Sequence, residues 1–320
     1  IVESVACGVD QPGDLTVPAH TLYDIVRKLP DGSEVSIESA GDGSRLTVRA
    51  GRSTFTLPSL PTEEFPALTG DALGHRLVLS AADAKALIDR TRFAISTEET
   101  RYYLNGIYLH AASANGVEVM RAVATDGHRL ARVEMPLPDG ASGMPSVIVP
   151  RKAVLELRKL IEDVDGEIAI ELSETKLRFS FDDTVLTTKL IDGTFPDYER
   201  VIPTGNDKTL EVNCKTFAEA VDRVATISTE KSRSIKLALA NGTLTLTASS
   251  PENGTATEEL EVSYGAGDME IGFNSRYLLD IAGQIEGDGA IFSLADSASP
   301  TIVRDQDDDS ALYVLMPMRV

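Results

Sequence analysis

The sequence contains no tryptophan, and only two cysteines and four histidines among 320 residues. Cys7 and Cys214 lie far apart, which suits two buried thiols in a reducing compartment better than a disulfide scaffold. His20, His75, His110 and His128 form no HExxH or Cys/His cluster, so no metal centre is predicted. Neither a glycine-rich phosphate loop nor a GxSxG elbow occurs, and no cofactor is expected. Asp307, Asp308 and Asp309 lack the glycine and closing glutamate of a calcium loop and read as a solvated turn. The spacing of Asp126, His128 and any serine supports no triad, and with 50 carboxylates chance pairs are inevitable. No apolar run is long enough to span a bilayer and no charged-then-apolar leader is seen, so a cytoplasmic location is expected.

Basic excess is also missing. The net charge of −20 argues at first against a nucleic-acid partner. Its distribution weakens that argument. Helices are predicted over 18–30, 80–101, 150–164, 213–233 and 274–288, and together they hold 15 Lys or Arg against 14 Asp or Glu. The remainder of the chain carries −21.

What the chain does have is a repeat. A helix followed by three β segments begins at Pro150, and the same plan begins at Pro18 and at Phe273. Apolar residues recur at helical spacing in each copy: Leu22, Ile25 and Val26; Val154, Leu157 and Ile161; Leu278, Ile281 and Ile285. Period-2 alternation and turn pairs such as Asp31-Gly32 and Asn241-Gly242 mark the strands. A second half-unit also repeats, 76–96 against 209–228, with Ser80 matching Asn213. Two half-units make one domain, so domains are expected at 1–71, 72–203 and 204–320, the first incomplete. By the same arithmetic about fifty residues are expected ahead of Ile1.

Helix 150–164 is predicted to bury Val154, Leu157 and Ile161 and to present Arg151 in line with Arg158, and Lys152 in line with Lys159. A solvated face is the ordinary reading of such a stripe. Its weaker recurrence at Lys85 and Arg92, one heptad apart, favours a shared anionic partner.

Four stretches are unlike strand filler: RYYLNG from Arg101, ATDGHRLA from Ala124, FPDYERVIP from Phe195, and the terminal MPMRV. In this order, on a threefold repeat, they closely resemble the bacterial DNA polymerase III beta subunit family, the sliding clamps, over the whole chain. The resemblance implies an α+β fold of repeated clamp domains, with helices lining a hole and antiparallel sheets outside. It implies a non-catalytic, homodimeric ring around duplex DNA that confers processivity on the replicative polymerase. Implied partners are the polymerase alpha subunit, the clamp loader delta subunit, translesion polymerases, mismatch-repair proteins and ligase, all through short linear peptides. The pocket for those peptides maps onto Leu104, Thr125, Gly127, His128, Arg129, Leu130, Pro196, Arg200, Val201, Asn274, Tyr277, Val314, Met316, Pro317, Met318 and Arg319. Flexible methionines suit a site that repacks around different ligands, and Arg129 and Arg319 are expected to anchor acidic or backbone groups. Arg27, Lys85, Arg92, Arg151, Lys152, Arg158, Lys159 and Lys215 are expected to face DNA, and Ile227 to lie at the dimer seam. Pro300 stands where a polar group often flanks the pocket, and Glu98 where an amide is expected near DNA. An acidic hydrolase or scaffold with internal repeats is the alternative. It would need a metal cluster or a nucleophile beside a base, and the sequence offers neither.

Overall fold

The computed structural model describes residues 1–65, 73–228 and 233–319, in two compact units. One unit spans Ser4–Asp71. The other comprises Ile1–Glu3, which includes β1 (Val2–Glu3), and Ala72–Val320.

The smaller unit holds α1 (Ala19–Val26) and an antiparallel sheet of β2 (Val35–Ser39), β3 (Arg45–Ala50) and β4 (Ser53–Pro58). Leu46, Val48 and Leu57 are its buried core, and Leu22 and Ile25 of α1 pack against them. The register is pinned by Leu46 opposite Leu57 and Val48 opposite Phe55, because a one-residue slip would turn that set to the other face.

The larger unit runs the half-unit plan four times. The first comprises β5 (His75–Ser80), α2 (Ala81–Asp89), β6 (Gly106–Ala114), β7 (Val117–Thr125) and β8 (Arg129–Pro136). The second comprises β9 (Val147–Pro150), α3 (Arg151–Leu160), β10 (Glu167–Leu172), β11 (Lys176–Phe181) and β12 (Thr184–Lys189). The third comprises β13 (Lys208–Asn213), α4 (Cys214–Ala225), β14 (Ser234–Ala240), β15 (Thr243–Ser250) and β16 (Gly254–Glu261), followed by the short β17 (Ser263–Tyr264). The fourth comprises β18 (Met269–Asn274), α5 (Ser275–Ala282), β19 (Gly289–Leu294), β20 (Thr301–Asp305) and β21 (Ala311–Leu315). In each, a strand turns directly into a helix. The turn is capped by a short polar side chain in three cases: Ser80 accepts from the Asp83 N–H, Asn213 from Thr216 and Asn274 from Arg276.

The helices are shorter than the sequence predicts. The expected helix 80–101 ends at Asp89, and Arg92–Ala94 and Glu99–Leu104 form separate 3-10 turns. Thr91 donates its hydroxyl back to the Leu87 carbonyl at 2.5 Å, a bond that competes with the helical ladder. α5 stops at Gly283 rather than reaching 288. Residues 229–232 of the expected helix 213–233 lie outside the described residues, and α4 itself ends at Ala225.

Sheet order follows one rule. β8, β7, β6 and β9 are neighbours, and so are β12, β11, β10 and β5, β16, β15, β14 and β18, and β21, β20, β19 and β13. Within each half-unit the last strand is therefore outermost. Three of these outermost strands are paired: β8 with β21, which fuses two half-units into a nine-stranded sheet, and β12 with β1. One face of the nine-stranded sheet carries Ala122, Ala131, Val133, Val303 and Tyr313 and joins the buried faces of α2 to α5 in the main core. The alternate residues Val123, Leu130, Ile302, Leu312 and Val314 form a second apolar cluster on the opposite face.

Candidate functional site

The second cluster is where the sequence motifs meet. Leu104, Leu130 and Val314 are 4, 2 and 2% exposed and share it with Phe195 and Tyr198. The β8–β21 pairing creates this meeting, setting Leu130 opposite Val314 and Arg129 opposite Leu315. Thr125 faces Leu130 across β7 and β8. Beyond β21, the Met316 N–H donates to the His128 carbonyl at 2.9 Å and the Met318 N–H to Gly272 at 2.8 Å, so the terminal segment is laid along the junction. Phe195 stacks on Tyr108 with centroids 4.7 Å apart, which holds Pro196 and the 3-10 turn Tyr198–Val201 beside the cluster. Val201 and Met316 remain 50 and 39% exposed at its edge. A dry floor with exposed, adaptable apolar groups around it is suited to receiving apolar side chains of a ligand.

The loop between β7 and β8 is built by its own motif. Asp126 accepts the N–H groups of His128 and Arg129, and Thr125 accepts the Gly127 N–H while donating to the Arg129 carbonyl. Gly127 has φ +87°, a backbone conformation that favours glycine, and a Cβ there would also displace the Arg101 guanidinium, 2.5 Å away. Arg101 is held by two bonds to the Glu98 carboxylate, which those bonds keep below its usual pKa range.

Arg129 is expected from sequence to anchor a ligand, yet its guanidinium is engaged within the molecule. It lies 4.3 Å from the Tyr277 ring centroid and 5.1 Å from that of Phe93. It also pairs with Asp126 and Asp280 and donates to the Phe93 carbonyl. Arg129 therefore ties β8 to α5 and fixes Tyr277, on which His128 stacks at 6.4 Å. Asn274 caps α5 beside this point. Arg200 is exposed and pairs with Asp197, Pro317 is half-buried, and Arg319 is exposed past the Gly272–Met318 bridge. The motifs did not reveal Phe93 and Asp280, which come from separate stretches and are linked to the site only by long-range contacts to Arg129.

The expected DNA-facing cations divide into two groups. Arg151, Lys152, Lys159 and Lys215 are exposed, and of these Lys159 pairs with Glu156. Lys85 instead donates to the carbonyls of Glu162 and Val164 at 2.8 and 2.9 Å, and Arg158 pairs with Asp89 and Glu162. These two clip α2 to α3. Arg92 sits outside α2 and pairs with Asp89, and Arg27 pairs with Asp24. Ile227 is half-buried in the turn after α4, where the Asn253 amide donates to its carbonyl at 3.3 Å. Among the described residues no group of three or more His, Cys, Asp or Glu could hold a metal ion, and no helix is long and apolar enough to cross a membrane.

Three family models match in succession: the N-terminal domain of the DNA polymerase III beta subunit over residues 1–69, its central domain over 78–197, and its C-terminal domain over 199–319. The beta sliding clamp of Caulobacter vibrioides is 55% identical over 320 residues, covering 100% of this chain and 86% of that protein. The beta sliding clamp of Escherichia coli K12 is 40% identical over 312 residues, covering 97% and 83%. Among solved structures, the sliding clamp of Bartonella birtlesii bound to griselimycin superposes with a TM-score of 0.95 at 52% identity, covering 99% of this chain and 85% of that one. With three consecutive family domains and this level of identity along its length, the chain belongs to the DNA polymerase III beta subunit family, the bacterial beta sliding clamps.

Proposed function

We propose that two copies of this chain close head to tail into a ring that encircles duplex DNA, tethers the replicative polymerase and has no catalytic activity of its own. The observation that carries this reading is the fate of the outermost strands. β8 is paired with β21 and β12 with β1, while β16 and β4 end their sheets among the described residues. The same rule supplies the remaining partnership, β16 of one copy with β4 of another, and it removes two open edges at once. Loose, phosphate-directed contacts from Arg151, Lys152, Lys159 and Lys215 would hold duplex without fixing it to any sequence. The net charge of −20 repels DNA elsewhere.

The cluster at Leu104, Leu130, Val314 and Met316 is the docking pocket in this reading. Its occupants are short linear peptides of the polymerase alpha subunit, the clamp loader delta subunit, translesion polymerases, mismatch-repair proteins and ligase, in the cytoplasm. The test of the ring is retention on DNA after loading. Protein should persist on closed circular plasmid and leave within minutes of linearisation. Equal loss from both forms would refute encirclement.

A further inference from the structure

Two residues farther along the strands from the pocket floor, roughly 7 Å, the same sheet face changes character. The lateral row reads Arg304 on β20, Leu312 on β21, Arg132 on β8 and Val123 on β7, as the strand registers require. Adjacent strands lie about 4.8 Å apart, so the two arginines flank the buried Leu312 at about 10 Å between their Cα atoms. The next row adds Arg121 opposite Glu134. Arg121 is fully engaged, with Glu134, Glu199 and the Tyr198 hydroxyl. Arg132 is not. Its Nε lies 3.0 Å from the Glu134 carboxylate, already bound by Arg121, and at an angle too poor for a hydrogen bond, leaving that buried N–H unsatisfied. The guanidinium of half-buried Arg304 has no hydrogen-bond or ion-pair partner among the described residues. The nearest carboxylate along its row is Glu211, two strands away on β13, and the two form no ion pair.

Of the three guanidinium groups on this face, only Arg121 and Arg132 reach the two carboxylates Glu134 and Glu199, the latter 62% exposed, in a chain whose net charge is −20. Burial and the neighbouring Arg121 and Arg304 push the Arg132 pKa down, the mark of a cation that the fold itself leaves under-compensated. A recessed arginine without its anion is costly, and a ligand carboxylate with two oxygens matches its forked donors.

We infer that Arg132 and Arg304, on either side of Leu312, form an anion subsite for a carboxylate side chain flanking the apolar anchors of a peptide seated in the neighbouring pocket. This rests on the pocket reading above and is continuous with its floor through Leu130 and Ile302, the residues two positions before each arginine on β8 and β20.

The test uses full-length dimer and two fluorescent peptides with the same Leu and Phe anchors, one carrying three flanking Glu and the other three Gln. Anisotropy at low salt should show the Glu peptide binding about fivefold tighter, the gap falling below about twofold in 0.5 M salt. Arg304→Gln, a half-exposed change that leaves the core intact, should abolish the gap and leave the Gln peptide unaffected. Arg304→Lys should restore part of it, and Arg132→Gln with Arg304→Gln should add no loss for the Gln peptide. A gap that survives Arg304→Gln, or no gap in the parent protein, overturns the subsite while leaving the pocket standing. Failure of both peptides to bind the parent overturns pocket and subsite together. Loss of single-stranded DNA binding in Arg304→Gln without any peptide gap would assign these arginines to phosphate and overturn the inference.

Discussion

At the residue scale, burial separates changes that harm the fold from changes that harm the pocket. Leu130 is 2% exposed, so Leu130→Ala should destabilise the protein by about 2–5 kcal/mol as well as weaken binding. Met316 is 39% exposed, so Met316→Ala should shift the denaturant midpoint by less than about 0.5 kcal/mol equivalent while raising peptide Kd roughly tenfold. An unchanged Kd for Met316→Ala, measured by calorimetry, would remove it from the pocket. His110 makes a different point. Its Nδ1 lies 3.0 Å from the Ala111 carbonyl and its Nε2 3.0 Å from the Tyr198 hydroxyl, which also accepts from Arg121. That pattern fits a neutral ring that donates at Nδ1 and accepts at Nε2. Burial, opposed by the Ala111 bond and reinforced by Arg121, lowers its pKa below the ordinary 6.5. The unfolded chain therefore takes up this proton first as pH falls, and His110 contributes stability above about 6.5 that is lost in acid. Unfolding between pH 7 and 5 should show a shallower loss in His110→Gln than in the parent, and identical slopes would count against this assignment. No local pattern marks His110, whose environment is assembled from β6, β7 and the turn at Tyr198. By contrast, the Thr125–Leu130 motif is legible because its hydrogen bonds are local.

At the element scale, the amphipathic pattern identified the helices, but not their lengths or the duties of their charges. The hydrophobic period persists past Asp89 into Phe93 and Ala94, while Thr91 and the 3-10 turn that follows end the helix. Lys85 and Arg158 match the heptad stripe as well as Arg151 and Lys152 do, yet they cap and clip neighbouring helices. Periodicity reports which side a residue is on and is silent about carbonyls arriving from another helix. Lys85→Met should therefore lower stability by about 1 kcal/mol, through loss of its bonds to Glu162 and Val164, with little change in DNA association. Arg151→Glu with Lys152→Glu should leave unfolding nearly unchanged. It should lower the slope of log affinity against log salt by about 2, one per phosphate contact removed. The converse result, DNA binding lost with Lys85 and retained with the Arg151–Lys152 pair reversed, would exchange their roles.

At the scale of the whole molecule, the strand rule was only half visible beforehand. The repeats reveal the half-units, because each carries its own helix and strand alternation. Nothing local could indicate that outermost strands pair with outermost strands, since β8 and β21 are far apart in sequence and each alternates like any half-buried strand. Once that rule is seen, the position of Ile227 acquires meaning. The Asn253 bond ties its turn to the hairpin that leads into β16, the edge proposed to meet β4 of a second copy. A carboxylate at this position would be driven out of water whenever the edges joined. Leaving a charge unpaired at a closed interface costs about 3 kcal/mol, roughly a hundredfold in the association constant. Ile227 also touches the main core, so a loss of dimer alone could reflect damaged folding. The informative measurement pairs sedimentation velocity with the pocket assay. Ile227→Asp should sediment as monomer at concentrations where the parent is dimeric, while still binding the anchor peptide with parental affinity. A monomer that has also lost the peptide would mean a disrupted fold, and an intact dimer would move the seam away from this turn.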